Sequence, residues 1–185
     1  MTALNYQNIL LWRHAHAKDL ADLDGLDFGN MDFDALDFDI RDSARPLSKK
    51  GQKQAEKMAA WLKNNMPKDT LIVSSNALRA KQTAQALGLQ YIVIADLAPN
   101  ATLASALKTI SELSVNNLAS DNLLLVGHQP WLGLLAAQLL YLPKKLPENA
   151  KEISIKKGAV WWFKRPISQR NQPFKLFTVL APSTL

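Results

Sequence analysis

The 185-residue sequence predicts an α/β fold, a three-layer α/β/α sandwich whose mainly parallel sheet has about six strands. Apolar runs of strand length alternate with segments whose apolar residues recur at helical spacing, which is the order that builds a parallel sheet with helices on both faces. Two further strand-like runs lie near the end of the chain without a helix between them. The length and the 48% hydrophobic content fit a single domain over residues 1–185.

Each predicted element has its own signal in the sequence. Residues 9–12 form an apolar run long enough for a first buried strand, and Ser48 is a fitting N-cap for a helix over 48–66. Residues 159–163 and 174–180 predict an antiparallel pair that extends the same sheet. The elements between are strand 70–75, helix 78–87 closed by Gly88, strand 91–94, helix 101–113, strand 122–126 and helix 131–140.

Residues 18–42 form an acidic insertion in a basic chain. This segment holds nine of the sixteen acidic residues and has a net charge of −7, whereas the whole chain is +6. It lacks the glycine and the terminal glutamate that a calcium loop requires at fixed positions. Because it contains Gly25 and Gly29 and has little regular periodicity, we predict a long loop with one helical turn. Such a loop could cover the site as a lid, help to select substrates, or only balance the charge of the basic body.

Composition excludes several classes of partner. The basic body suits an anionic partner, but no nucleic-acid-binding motif or interleaved aromatic stripe is present. No apolar run approaches the ~20 residues of a membrane span. There is no leader pattern at the N-terminus, and the chain has no cysteine. We therefore expect a cytoplasmic monomer that binds neither nucleic acid nor membrane.

Polar side chains follow three of the predicted strands. Arg13 and His14 follow the first strand, Arg79 lies just inside the helix after the second, and His128 follows the fourth. The carboxyl ends of parallel strands meet at one edge of the sheet, where ligands bind. A neutral imidazole can attack a phosphoryl group, and planar guanidinium groups match phosphate oxygens. This set therefore predicts a site for an anionic, phosphate-bearing substrate with His14 as the nucleophile.

Four ordered motifs between about residues 8 and 140 resemble those of the histidine phosphatase superfamily, most closely its branch of SixA-type phosphohistidine phosphatases. The motifs are Arg13-His14-Ala15 with Ala17, Arg45-Pro46-Leu47-Ser48 with Gly51, Ser74-Ser75 with Arg79-Ala80 and Gln82-Thr83-Ala84, and Gly127-His128. The resemblance implies a phosphoglycerate-mutase-like fold and a phosphatase without a cofactor or metal. Its substrate would be a phosphorylated protein, in signal transduction, or a small phosphomonoester.

The resemblance also implies roles for individual residues. His14 would carry a covalent phosphohistidine, with Arg13, Arg79 and His128 as the other catalytic residues around the phosphoryl group. Arg45 would reach the phosphate as a substrate-binding residue. A non-catalytic phosphate-binding or signalling adaptor that retains the fold is the alternative function.

Three residues keep open alternatives. Arg45 could instead pair with an aspartate of the acidic segment. Asp96, after the third strand, is the candidate general acid, but it could equally cap its loop, and an aspartate of residues 18–42 is the other candidate acid. His16 could lie at the rim of the pocket, while a metal site formed by His14, His16 and an aspartate is disfavoured by the adjacent arginine.

Overall fold

The computed structural model describes residues 4–23, 37–115, 120–142, 144–169 and 172–185. The predicted helices and strands are present, and each begins and ends within two residues of its predicted bounds. In chain order they are β1 (Asn8–Arg13), α1 (Phe38–Ala44), α2 (Lys49–Asn65), β2 (Leu71–Ser75), α3 (Leu78–Gln85), β3 (Ile92–Ile94), α4 (Leu103–Val115), β4 (Asn122–Gly127), α5 (Trp131–Tyr141), β5 (Val160–Lys164) and β6 (Lys175–Leu180).

The six strands form a single sheet in the order β3-β2-β4-β1-β5-β6. Strands β1 to β4 are mutually parallel, whereas β5 runs antiparallel to β1 and β6 antiparallel to β5. The prediction of a mainly parallel sheet with a terminal antiparallel pair is therefore confirmed. Strands β1 and β4 lie at the centre, which explains why their sequences are continuously apolar.

Alternate residues of the central strands pack on opposite faces of the sheet. Ile9 and Leu11 of β1 belong to the core cluster that includes residues of α4 and α5, whereas Leu10 and Trp12 belong to the cluster formed with α2 and α3. This alternation is the two-residue period of a strand. It produces the predicted three layers. Within the described ranges, no helix is both long and apolar enough to cross a membrane.

The helix boundaries have the chemistry that their sequences predicted. The Ser48 hydroxyl accepts a hydrogen bond from the Gly51 N–H at 3.1 Å, so Ser48 is the N-cap of α2. Gly88 follows α3 with a φ of 60°, the left-handed conformation favoured by glycine after a helix. These local contacts fix where α2 begins and where the α3 segment ends.

The acidic segment is more helical than the loop with one turn predicted for it. It contains a 3-10 turn at Leu20–Leu23, and α1 begins inside it. Residues 24–36 of this segment lie outside the described residues. Helix α1 buries none of its residues, and Phe38 and Ile40 are 65% and 54% exposed. The periodicity of buried apolar residues that predicts helices is therefore missing from α1, and tertiary polar contacts hold it instead.

Gly51 brings α2 against the loop that follows β1. A Cβ added at Gly51 would lie 1.9 Å from the backbone carbonyl oxygen of His16. We expect Gly51→Ala to lower the free energy of unfolding by about 2 kcal/mol in urea denaturation, because one of the two backbones must move. Helix propensity alone would instead raise it by about 1 kcal/mol. The exposed Gln52→Ala is the control, and a Gly51→Ala variant more stable than wild type would contradict the close packing.

Candidate active site

The carboxyl ends of β1 and β4 bring two histidines together. Arg13 pairs in register with Gly127, and the His14 N–H donates to the Gly127 carbonyl at 3.0 Å. The next residue on each strand is therefore a histidine. The imidazole centroids of His14 and His128 lie 4.9 Å apart with the rings tilted by 46°. The predicted convergence of these two side chains is present in the structure.

His14 is a buried imidazole whose tautomer follows from its contacts. Its Nδ1 lies 2.7 Å from the Ala15 carbonyl oxygen, and because a carbonyl only accepts, Nδ1 carries the proton and donates it. Nε2 therefore keeps its lone pair and accepts from Arg79 Nε at 3.4 Å. Burial, reinforced by the charge of Arg79, lowers the pKa of His14 to about 3. The ring is thus a neutral nucleophile at physiological pH.

Arg79 lies in the first turn of α3 and directs its guanidinium at His14. The N–H of Ala15 donates to the Thr83 hydroxyl at 3.1 Å, and that hydroxyl donates to the Arg79 carbonyl at 2.7 Å, which ties α3 to the loop after β1. Only 4% of Arg79 is exposed. Besides His14, its guanidinium contacts Asp42, as Nη2 donates to Oδ2 at 2.6 Å and Nη1 donates to the backbone carbonyl.

His128 has one hydrogen-bonded and one free ring nitrogen. Nε2 lies 2.8 Å from the Ser75 hydroxyl, which also accepts from the Ala77 N–H at 3.3 Å. Nδ1 is buried and has no hydrogen-bond partner in the described part of the chain. Burial lowers the pKa of His128 well below its ordinary value, and the charges of the neighbouring site residues lower it further. A buried polar atom without a partner is costly, so Nδ1 beside His14 is suited to a polar ligand.

Arg13 and the turn before β5 form another wall of the site. Arg13 Nη1 donates to the Ile155 carbonyl at 2.6 Å, and the Gly158 N–H donates to the carbonyls of Arg13 and His14 at 3.1 and 3.0 Å. The residue before this glycine, Lys157, is half-buried. Burial lowers its pKa, with further lowering from the charges of Arg13 and Arg45. The positive charge of Lys157 acts on His14, and the sequence analysis did not predict this. The only local signal for it is a Lys-Gly turn far along the chain.

Arg45 pairs with aspartates of the acidic segment, as the alternative interpretation of this arginine predicts. Its Nη1 donates to Asp42 Oδ1 at 2.9 Å, Nη2 to Asp19 Oδ1 at 3.2 Å, and Nε to the Lys18 carbonyl at 2.7 Å. Through Asp42 it is linked to Arg79. The contact of Arg45 with a substrate phosphate stays a prediction.

Asp42 is the carboxylate that pairs with Arg79. The sequence did not distinguish it from the other aspartates of the acidic segment. Burial raises the pKa of Asp42, but hydrogen bonds from Arg45 and Arg79 outweigh this effect and hold it below its ordinary value. Asp42 is therefore ionised at neutral pH and can only accept hydrogen bonds. In this position it cannot supply a proton.

Asp96, the candidate general acid, lies on the surface, and its catalytic role stays a prediction. Asp96 is exposed in the 3-10 turn Ala95–Leu97 and makes no hydrogen bond or ion pair with the described residues around His14. His16 hydrogen-bonds to the Ser48 hydroxyl at 2.9 Å, beside the start of α2. Within the described ranges, no three His, Cys, Asp or Glu side chains are grouped to hold a metal ion.

Comparisons with known proteins agree with the fold and the motifs. Residues 9–100 match the histidine phosphatase superfamily (branch 1). An uncharacterised protein of Mycobacterium tuberculosis (strain H37Rv) is 32% identical over 63% of this chain and 73% of that protein. The phosphohistidine phosphatase SixA of Escherichia coli (strain K12) is 30% identical over 53% of this chain and 63% of SixA. A solved structure of the protein histidine phosphatase SixA complexed with tungstate has a TM-score of 0.66 and 21% identity, covering 96% of this chain and 98% of that one.

The fold is thus the phosphoglycerate-mutase-like α/β fold. The chain belongs to the histidine phosphatase superfamily, whose members are phosphatases. Both conclusions confirm the expectations drawn from the motifs.

The depressed pKa of His14 predicts a pH-dependent stability. The pKa of His14 is near 6.5 in the unfolded chain and about 3 in the folded protein, so the unfolded chain binds the proton more tightly. The free energy of unfolding therefore decreases as the pH falls from 6.5 toward 3. We expect the loss of unfolding free energy between pH 7 and pH 5 to be about 2 kcal/mol smaller in His14→Gln than in wild type. Urea denaturation at the two pH values measures this. Equal losses would mean that His14 titrates normally.

Proposed function

We propose that this protein is a phosphatase that hydrolyses phosphohistidine, or a phosphomonoester, through a covalent phosphohistidine intermediate on His14. The observation that carries the proposal is the buried His14 imidazole, whose Nδ1–H is bonded to a carbonyl and whose unprotonated Nε2 accepts from Arg79. This tautomer is the one that attack through Nε2 requires. The superfamily membership supports the same chemistry.

The proposed reaction has two displacements at phosphorus. The lone pair of His14 Nε2 attacks the phosphoryl group, and the bond from phosphorus to the leaving group breaks. The ring becomes positively charged, and the Nδ1–H···O=C bond to Ala15 stabilises that charge. A water molecule then attacks the phosphorus atom, the bond from phosphorus to Nε2 breaks, and His14 leaves as a neutral imidazole. The released dihydrogen phosphate keeps both protons of the water. Arg13, Arg79 and His128 would stabilise the equatorial oxygens in both steps.

The surroundings of His14 favour a leaving group that needs little protonation. An alkoxide needs a proton donor, whereas an imidazole or a phenolate leaves more readily. Among the described residues, Asp42 is held ionised by two arginines, and Asp96 is exposed and forms no hydrogen bond or ion pair with the residues around His14. We therefore propose phosphohistidine as the preferred substrate. A phosphorylated protein would be the partner of this chain, acting as a monomer in cytoplasmic signal transduction.

Turnover of three substrates tests the proposal. We expect wild type to hydrolyse p-nitrophenyl phosphate and a phosphohistidine protein and to leave a simple alkyl phosphate almost untouched. Asp96→Asn should leave all three rates unchanged. If the alkyl phosphate is hydrolysed and Asp96→Asn abolishes that reaction, Asp96 is the general acid and a small phosphomonoester is the better substrate.

A second experiment tests the role of His14. We expect His14→Ala to lower kcat for p-nitrophenyl phosphate by about a thousandfold or more, because the nucleophile is lost. Rapid quenching followed by mass spectrometry should detect a phosphoryl group on His14 of the wild type. His16→Ala is the matched control and should retain turnover. A wild-type protein that binds phosphate but turns over none of the three substrates would instead be the adaptor.

A further inference from the structure

Three of the five N–H groups of the Arg79 guanidinium are bonded to protein groups. Nε donates to His14, while Nη1 and Nη2 donate to the backbone carbonyl and the carboxylate of Asp42. The outer edge of the guanidinium is thus bound to one residue of the acidic segment. A phosphoryl group that binds across the Nη1–Nη2 edge would need the two donors that Asp42 occupies, since carboxylate and phosphate oxygens both match the guanidinium fork.

The Asp42 carboxylate bridges two arginines. Its Oδ2 accepts from Arg79 at 2.6 Å and its Oδ1 from Arg45 at 2.9 Å. Only 18% of the Asp42 side chain is exposed, and 5% of the Arg79 side chain. The pair is therefore desolvated, so that the carboxylate competes effectively with an anion from solution.

Among the described residues, no apolar side chain of the helix that carries Asp42 belongs to the core clusters. None of the residues of α1 is buried, and Phe38 and Ile40 point their apolar side chains toward solvent. The helix is held by polar contacts, which include those of Asp42 and a hydrogen bond from Asn100 to Asp39 at 3.1 Å. Its displacement would expose little additional apolar surface, so the hydrophobic cost of moving it is small.

We propose that Asp42 is an internal ligand of the anion site, which the phosphoryl group of the substrate must displace from Arg79 together with the C-terminal end of α1. The inference rests on the proposed function in one respect, the binding of phosphate by Arg79. Only molecules in which Asp42 is detached bind the anion. The apparent affinity for an anion is then the intrinsic affinity multiplied by the fraction of molecules in which Asp42 is detached. This factor is the same for every anion that binds Arg79.

Anion binding to Asp42→Asn tests the inference. Inorganic phosphate and tungstate are titrated calorimetrically into wild type and Asp42→Asn, and both are tested as inhibitors of p-nitrophenyl phosphate hydrolysis. We expect both anions to bind the variant about tenfold more tightly, by the same factor, because a charge-assisted contact is removed. The KM should fall, while kcat changes less than about twofold. Asp37→Asn, which removes the same charge at the N-cap of the same helix, where the side chain makes no capping hydrogen bond and no bond to Arg79, should bind as wild type does.

Other outcomes would overturn the inference. Weaker anion binding together with a lower kcat would mean that Asp42 holds Arg79 in its working position. Unchanged affinity would mean that Asp42 and the anion do not compete. Different factors for phosphate and tungstate would mean that Asp42 stays beside the bound anion. Because the calorimetric titration needs no turnover, failure of this inference is distinguishable from failure of the proposed phosphatase activity.

Hydrogen exchange of the wild-type protein gives a readout that does not depend on a variant. We expect the backbone amides of α1 to exchange faster when phosphate is bound at saturation, since the helix loses its bonds to Arg79 and Arg45. Protection of these amides that is unchanged or increased would contradict the displacement of Asp42.

Discussion

The parallel pairing of β1 with β4 is the constraint on which the candidate site depends. Its register places Arg13 opposite Gly127, so that His14 and His128 leave the sheet side by side. A shift of one residue would turn every side chain of one strand to the opposite face and separate the two imidazoles. Gly127 supports this arrangement, because a Cβ there would lie 2.2 Å from the Trp131 indole at the start of α5. The packing of the core and the geometry of the site thus depend on the same register.

Burial and positive charge act together on the chemistry of the site. Both imidazoles are almost inaccessible to solvent, and the cations around them disfavour protonation further. The histidines therefore stay neutral, which keeps the Nε2 lone pair of His14 available at neutral pH. Positive charge concentrated in this way is stabilised by nearby negative charge. Asp42 and Asp19 of the acidic segment supply it through ion pairs with Arg79 and Arg45.

The acidic segment supplies the negative charge that the candidate site pairs with its arginines. Its described part supplies carboxylates to Arg45 and Arg79, and it does so from a helix that packs no apolar residue into the core. Because ion pairs with these arginines hold the helix, an anion that binds the same arginines can displace it. This property connects the uneven distribution of acidic and basic residues along the chain with the binding of an anionic substrate.

The sequence by itself determined the succession of strands and helices along the chain, the mainly parallel sheet and the convergence of His14, Arg79 and His128. Periodicity, capping residues and the common edge of parallel strands are local or topological signals, and each is readable from neighbouring residues. Only the tertiary structure decided which carboxylate meets Arg79, where Lys157 lies, and that α1 is a helix. These depend on contacts between residues far apart in the chain, such as the ion pair of Asp42 with Arg79. One aspartate among nine in the segment carries no local mark that predicts its partner.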